Sequence, residues 1–180
     1  FGYMKKNYRP LPYEGACSVK SILEGLKTEF QWNPLYEANN LIGLEKAGAN
    51  VSLEPGGQLE LSGAKLDTIH QTCSEASEHL REVRCIADKV DAGFIGLGAA
   101  PFWLHDEMPI MPKGRYSLMT KYMKNVGTYG TQMMYRTCTI QVNLDFSSES
   151  DMVKKFRVSL ALQPIATALF ANSPIFENQL

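Results

Sequence analysis

Two carboxylates in one short segment are the first groups in this sequence that could do chemistry. Glu54 and Glu60 lie in residues 51–61, VSLEPGGQLEL, on either side of a Pro-Gly-Gly interruption. On a regular strand these two even-numbered side chains would share a face, although a bulge at the interruption could shift the register. Carboxylates that converge on a concave sheet face supply the oxygen ligands that magnesium takes. The alternative is a pair of solvated strand glutamates, one of them paired with a neighbouring lysine.

A second segment, residues 136–146 (RTCTIQVNLDF), alternates between polar and apolar side chains. As a strand it would have one apolar face and one face of hydrogen-bonding groups. The polar row consists of Thr137, Thr139, Gln141, Asn143 and Asp145. This row could bind a polar ligand through neutral hydrogen bonds, or it could be the exposed face of an edge strand. Arg136 has the opposite parity, so the pattern gives it no role.

Arg115 and Tyr116 follow the turn sequence MPKG, where a loop is predicted to become a helix. A guanidinium group there could clamp a carboxylate or phosphate bidentately, whereas the alternative is an ordinary surface arginine near a helix start. Lys113 and Gly114 do not belong to a GxxxxGK[ST] sequence, so this is not a P-loop. The four cysteines and three histidines show no zinc spacing, and no serine or cysteine has the setting of a nucleophile.

The apolar periodicity predicts several helices and strands around these groups. The predicted helices are 18–30 with Ser18 as N-cap, 67–90 between Asp67 and Gly93, 115–123, and one from about 149 that Pro164 kinks or splits. The predicted strands are 41–46 and 51–61, joined as a hairpin, then 94–103 and 136–146. Strict β-α-β alternation is absent, so we expect an α+β fold with a largely antiparallel sheet and helices on one face.

The composition is that of a globular domain, with 44% hydrophobic and 21% charged residues in a chain of 180. A net charge of −1 argues against a dedicated nucleic-acid-binding protein. No apolar run approaches the roughly 18–20 residues that cross a bilayer, so we expect no membrane partner. Cysteine usage favours a reducing compartment, and we expect a cytoplasmic protein. Because the chain begins at Phe1 rather than Met, we expect residues 1–180 to be part of a single domain that continues on both sides.

Five long segments, in the same order and with consistent spacing, resemble the plant-type glutamate–cysteine ligase family, also called γ-glutamylcysteine synthetase. They are LEPGGQLELSG (53–63), TIHQTC (68–73), MPKGRY (111–116), MMYRTCTIQVNLDFSSESDM (133–152) and LALQPIATALFANSP (160–174). The resemblance implies a fold similar to the glutamine synthetase catalytic domain, with a curved antiparallel sheet. It also implies ATP and Mg²⁺ as cofactors and glutamate and cysteine as substrates, in the first step of glutathione biosynthesis.

The resemblance also implies roles for individual residues. Glu54 and Glu60 correspond to magnesium ligands that position ATP, and Arg115 to a clamp on a substrate carboxylate or on the acyl phosphate. Tyr116 corresponds to part of the cysteine pocket. Thr139, Gln141 and Asn143 correspond to the floor of the glutamate site.

Two other functions stay open at this point. One is a related carboxylate–amine ligase with a different amine acceptor, and the other is a non-catalytic metabolite-binding module. We expect these residues alone to be inactive, since further acidic ligands and part of the ATP pocket would come from outside them. A plastid is the expected compartment if the source is a plant. The oligomeric state is not predicted.

Overall fold

The computed structural model describes residues 1–177 and residue 179. The described residues form two antiparallel sheets and five α-helices. In chain order the elements are β1 (Gly2–Met4), α1 (Val19–Phe30), β2 (Asn33–Glu37), β3 (Asn40–Lys46), β4 (Ala49–Leu53), β5 (Leu59–Ser62), α2 (Ile69–Lys89), β6 (Ala92–Phe94), a 3₁₀ turn (His105–Glu107), α3 (Gly114–Val126), α4 (Gly130–Arg136) and α5 (Glu149–Phe170). The predicted α+β class with antiparallel sheets is confirmed.

The larger sheet is a meander in which β2, β3, β4 and β5 pair in chain order. Buried and half-exposed residues alternate along β4, as expected for a strand with one face on the core. Ala47 and Gly48, which connect β3 to β4, both have positive φ, at 51° and 87°. This is the two-residue turn whose twist matches that of the flanking strands. The predicted hairpin is therefore present, but its second run, residues 51–61, folds into two strands rather than one.

Helix α1 packs against strand β3 of the meander, and α2 packs against α1 and against strand β6. Their buried residues interdigitate with those of the strands, and a Cβ added to Gly25 would lie 2.4 Å from the Ile86 side chain. The glycine therefore allows the two helices to approach closely. The core between helices and sheet includes Ile22, Leu23, Leu26, Leu41, Leu44, Val51, Leu53, Val83 and Ile86.

Side-chain caps set the helix starts. Ser18 caps α1 as predicted, with Ser21 completing a capping box. Helix α2 begins one residue later than predicted, because Thr68 rather than Asp67 caps it. The Thr68 hydroxyl accepts from the Gln71 backbone N–H at 3.3 Å, and the Gln71 side-chain oxygen accepts from the Thr68 N–H at 3.0 Å.

Helix α5 starts at the predicted cap, where the Ser148 hydroxyl accepts from the backbone N–H of Asp151. Pro164 does not split the helix, because α5 continues through it to Phe170. The other expectation, a kink at Pro164, stays a prediction. The helix around Pro164 is solvent-exposed, so the carbonyl group that loses its partner can be hydrated. None of the residues described for α5 is buried. No helix among residues 1–177 is both long and apolar enough to cross a membrane.

The predicted strand 94–103 is largely wrong. Strand β6 ends at Phe94 and pairs with β1, and the residues that follow form a loop with one isolated bridge between Ala99 and Thr137. The Gly98 N–H donates to the Asn172 carbonyl at 2.8 Å, which takes this backbone group away from a strand ladder. Glycine also packs poorly in a sheet, so the glycine-rich sequence suits a loop that other backbone approaches closely.

The predicted strand 136–146 is also wrong. Arg136 is the last residue of α4, and residues 138–146 form neither helix nor strand. The apolar positions of the alternation are as exposed as the polar ones, with Ile140 at 98% and Val142 at 78%. Alternation favours a strand only where another strand supplies the ladder hydrogen bonds and a core covers one face. The described residues provide neither for residues 139–146, although Thr137 makes the isolated bridge to Ala99.

Candidate active site

Glu54 and Glu60 meet across a tight turn between β4 and β5 rather than along one strand. The Glu54 N–H donates to the Gln58 carbonyl, and the Gly57 N–H donates to the Glu54 carbonyl, both at 2.9 Å. Pro55 occupies the first corner of the turn and Gly57 has φ of 80°, which is the pattern of a type I turn followed by a left-handed glycine. Glu60 pairs with Ser52 on the neighbouring strand, which places it close enough to Glu54 for the Glu60 charge to raise the pKa of the Glu54 carboxyl group.

The environment of Glu54 disfavours its negative charge. Burial raises the pKa of the Glu54 carboxyl group, and the charge of Glu60 raises it further, whereas Lys113 and Arg115 act in the opposite direction. Among the described residues, neither glutamate has a lysine or arginine within 4.0 Å. The turn therefore concentrates two carboxylates without a direct ion-pair partner.

This donor set fits a magnesium ion. The part of the chain that the structure describes holds no cluster of three or more histidine, cysteine or acidic side chains able to bind a metal. Magnesium, however, is commonly held by one or two carboxylates and completes its octahedron with waters and substrate phosphates. A pair of adjacent carboxylates, in which burial disfavours the charge of Glu54, is suited to that kind of site.

Lys113 and Tyr116 hold the end of β4 just before Glu54. The Lys113 ammonium donates to the Leu53 carbonyl at 2.9 Å, and the Tyr116 hydroxyl donates to the same carbonyl oxygen. Both side chains are buried, and the ammonium lies 5.4 Å from the centre of the Tyr116 ring. The turn that carries the carboxylates is thereby fixed to the start of α3.

Arg115 lies at that start, beside the carboxylates and open to solvent. Its Nη2 donates to the Tyr116 hydroxyl at 3.2 Å, which raises the pKa of the guanidinium group. The preceding N–H, that of Gly114, donates to the Glu37 carboxylate at 2.7 Å and ties the first turn of α3 to β2. One edge of the guanidinium is thus anchored, and its other donors can bind an anion.

Gln58 joins the carboxylate turn to the end of α4. Its side-chain nitrogen lies 3.3 Å from the carbonyl oxygens of Met134 and Tyr135 and 2.9 Å from that of Thr137. Gly56 completes the contact, since a Cβ there would lie 2.2 Å from the Tyr135 carbonyl oxygen. The turn and residues 134–137 therefore form one packed unit.

Arg136 is fully buried in this unit. Its Nη1 donates to the side-chain oxygens of Gln132 at 2.8 Å and Glu177 at 2.7 Å, and its guanidinium carbon lies 4.2 Å from the centre of the Phe176 ring. Its Nε and Nη2 have no hydrogen-bond partner among the described residues. Buried donors are rarely left unpaired, so these two groups suit a carboxylate or phosphate ligand.

The structure brings four of the seven predicted site residues together: Glu54, Glu60, Arg115 and Tyr116. The other three, Thr139, Gln141 and Asn143, lie in the exposed segment after α4 and make no side-chain hydrogen bond among the described residues. Their predicted common face depended on a strand that does not form. Tyr116 is buried to 1% exposure, and its hydroxyl donates to the Leu53 carbonyl.

We compared the chain with models of known protein families. A model of glutamate–cysteine ligase family 2 matches residues 1–179. The chain belongs to this family.

Individual relatives agree with the family match. The chain is 52% identical over 179 residues, 99% of its length, to glutamate–cysteine ligase A, chloroplastic, from Oryza sativa subsp. japonica. It has the same identity over the same span to the chloroplastic glutamate–cysteine ligases of Medicago truncatula and Arabidopsis thaliana. It spans 36%, 35% and 34% of the lengths of these three proteins. The resemblance to the plant-type glutamate–cysteine ligase family is thus confirmed.

In this glutamate–cysteine ligase family member, sequence reasoning missed three site residues: Lys113, Gln58 and Arg136. Lys113 stands directly before the glycine that begins α3, a position at which a lysine can reach back to a neighbouring strand. Gln58 closes the Pro-Gly-Gly turn, and a glutamine there can bond backbone carbonyls as a capping group does. The alternation around Arg136 predicts a strand and gives no sign that this side chain is buried. In the structure Arg136 is the last residue of α4 and is buried.

Proposed function

We propose that the chain forms part of the active site of an ATP- and magnesium-dependent glutamate–cysteine ligase. In this reaction the γ-carboxylate of glutamate attacks the terminal phosphorus of ATP, ADP leaves, and γ-glutamyl phosphate forms. The amine of cysteine loses a proton and attacks the acyl carbon, and inorganic phosphate leaves as the amide bond forms. The observation that carries the proposal is the Glu54–Glu60 carboxylate pair beside Arg115, in a chain of this family.

Glu54 and Glu60 hold the magnesium ion in this proposal. A bound magnesium ion supplies positive charge that neutralises the phosphate oxygens during phosphoryl transfer. The glutamates themselves do no proton transfer; they fix where that positive charge sits. The turn suits this task because Gln58 and Gly56 pack it against residues 134–137, so the two carboxylates cannot move apart easily.

Two arginines bind the anionic groups of the substrates. Arg115 is exposed, has one edge anchored on the Tyr116 hydroxyl, and clamps a substrate carboxylate or the acyl phosphate with its free edge. Arg136 offers a second anionic group two buried N–H donors that have no partner among residues 1–177 and 179. In this proposal both guanidinium groups bind and stabilise negative charge, and neither transfers a proton.

The remaining roles rest on the family resemblance. We assign part of the cysteine pocket to the ring of Tyr116. We assign the floor of the glutamate site to Thr139, Gln141 and Asn143, whose exposed side chains are free to bond a ligand.

Because the three relatives are named as chloroplastic proteins, we propose a plastid rather than the cytoplasm as the compartment. A fluorescent fusion of the full-length protein that accumulates in the cytoplasm would contradict this assignment.

Phosphate release by the full-length protein tests the reaction. We expect stoichiometric phosphate and γ-glutamylcysteine only when glutamate, cysteine, ATP and magnesium are all present, and neither product when any one is left out. Phosphate release with other amines but not with cysteine would identify a ligase with a different acceptor. Calorimetric binding of glutamate without any magnesium- or ATP-dependent turnover would contradict catalysis and favour a binding module.

A further inference from the structure

Lys113 is a buried cation directly beside the carboxylate turn, and the roles above do not explain why a cation is there. Its side chain is 9% exposed, and its ammonium group donates to the carbonyl of Leu53, the last residue of β4. The next residue is Glu54. The Leu53 carbonyl thus accepts two side-chain donors, from Lys113 and Tyr116, at the point where the strand gives way to the carboxylate turn.

Burying the Lys113 ammonium group at this position costs folding free energy. Burial lowers the pKa of the Lys113 ammonium group, and the positive charge of Arg115 lowers it further. The negative charges of Glu54, Glu37 and Glu60 oppose these effects, yet none of these carboxylates lies within ion-pairing distance of Lys113 in the described chain. Burying an ammonium group without a direct ion pair is unfavourable for folding alone. One hydrogen bond to a backbone carbonyl offsets only part of the desolvation free energy of the buried ammonium group.

We infer that Lys113 is a positioning residue for the carboxylate pair: it fixes the Leu53 carbonyl, and with it the backbone that aims Glu54, and it places a positive charge behind both glutamates. This inference rests on the proposed magnesium site. It assigns Lys113 no contact with substrate. Outer groups that orient metal-binding side chains act in this way in other metal sites.

The experiment measures Mn²⁺ binding to the full-length protein by calorimetry or electron paramagnetic resonance, with Mn²⁺ as the only added ligand. Lys113→Met keeps a similar volume and removes the donor and the charge, and Lys113→Arg restores both. Lys46→Met is the matched control. Lys46 is also a partly buried lysine of the same core, but it pairs with Glu82 at 3.2 Å, between the meander and α2.

We expect Lys113→Met to weaken Mn²⁺ binding about tenfold, in line with the loss of an outer-shell partner. Lys113→Arg should recover most of that loss. Lys46→Met should lower the melting temperature and leave Mn²⁺ affinity unchanged. In turnover, Lys113→Met should raise the magnesium concentration for half-maximal activity while leaving KM for cysteine unchanged.

Two results would overturn the inference, and they are distinguishable. If the wild-type protein binds Mn²⁺ and ligates but Lys113→Met binds Mn²⁺ equally well, Lys113 is a structural residue only and the proposed function stands. If the wild-type protein neither binds Mn²⁺ nor shows magnesium-dependent turnover, the proposed function fails and the inference fails with it.

Discussion

Residues 1–138 and residues 139–177 have similarly apolar sequences but very different surroundings. Every buried residue that the structure describes lies at or before Arg136. After it, the segment 139–148 and helix α5 carry exposed apolar side chains such as Val142, Phe156 and Leu169. The first region packs two helices on a sheet and brings the carboxylates, Lys113 and Arg115 together. The second region contributes Phe176 and Glu177, which contact Arg136, to that unit.

Strand β4 and residues 139–146 show what causes the difference. Both alternate between polar and apolar side chains, as a strand with one buried face does. β4 has β3 on one side and β5 on the other, and its apolar residues Val51 and Leu53 belong to the same buried core as residues of α1 and α2. Residues 139–146 have no partner strand and no covering helix among the described residues. An alternating pattern therefore indicates the capacity to form a strand, and its neighbours decide whether one forms.

The largest expected effect comes from emptying the core of the first region. Leu44 is fully buried on β3, whereas Leu160 on α5 is 49% exposed. Leu44→Ala should lower the free energy of unfolding of the 180-residue chain by about 3 kcal/mol, through lost burial and a cavity. Leu160→Ala should change it by less than about 0.5 kcal/mol. Urea denaturation of both variants measures this, and equal losses would contradict the division into two regions.

A second prediction concerns the close approach of the carboxylate turn to α4. Gly56→Ala would place a Cβ against the Tyr135 carbonyl, and we expect a loss of about 2 kcal/mol from overpacking. Gly127→Ala is the matched control, because an added Cβ there meets nothing within 4 Å, and should change stability by less than about 0.5 kcal/mol. Thermal melts compare the two variants. A Gly56→Ala protein as stable as the control would show that the turn and α4 are not in contact.

The smallest predicted effect is a pH dependence within the packed region. Burial lowers the pKa of His79 below its usual value of 6.5, although Glu82 and Glu75 oppose this, so the folded protein favours the neutral ring. Well above pH 6.5 the His79 ring is neutral in both the folded and the unfolded protein, so it adds no pH dependence to stability there. As the pH falls below 6.5 the unfolded chain binds the proton first, and stability is lost until the folded-state pKa is passed.

Two histidine variants separate the contribution of His79 to this pH dependence from that of other groups. His79→Gln should lose less stability than the wild-type protein between pH 7 and pH 5, whereas exposed His70→Gln should follow the wild-type curve. Denaturation midpoints at several pH values give the slopes. A His79→Gln slope equal to the wild-type slope would show that α2 does not hold this ring in a buried, neutral state.

The sequence predicts best what short-range physics determines. The Ser18 cap, the apolar stripes of α1 and α2, and the glycine-containing turns identify those elements to within a residue or two. The sequence also predicts that Glu54 and Glu60 lie close together, because two carboxylates flank one Pro-Gly-Gly interruption. The structure joins them through a hairpin turn between β4 and β5 instead of along one strand. Local pattern was sufficient in these cases because the partners lie nearby in sequence.

Long-range contacts explain what the sequence did not predict. The bond from Lys113 to Leu53 joins residues 60 positions apart, and the bonds from Gln58 to Met134, Tyr135 and Thr137 span 76 to 79 positions. No local periodicity encodes such contacts. The burial of Arg136 likewise depends on Phe176 and Glu177, about 40 positions away. The wrong strand at 136–146 has the same origin, since strand formation depends on partners that a local pattern does not specify.

The central claim is that the Glu54–Glu60 pair holds the magnesium ion that ligation needs, and Glu60→Gln in the full-length protein tests it most directly. Glu45→Gln is the control, because Glu45 is an exposed glutamate on β3, outside the site. We predict that Glu60→Gln reduces kcat by at least about a hundredfold, weakens Mn²⁺ binding and leaves the melting temperature unchanged, while Glu45→Gln behaves as wild type. Near-wild-type turnover and Mn²⁺ affinity in Glu60→Gln would contradict the account.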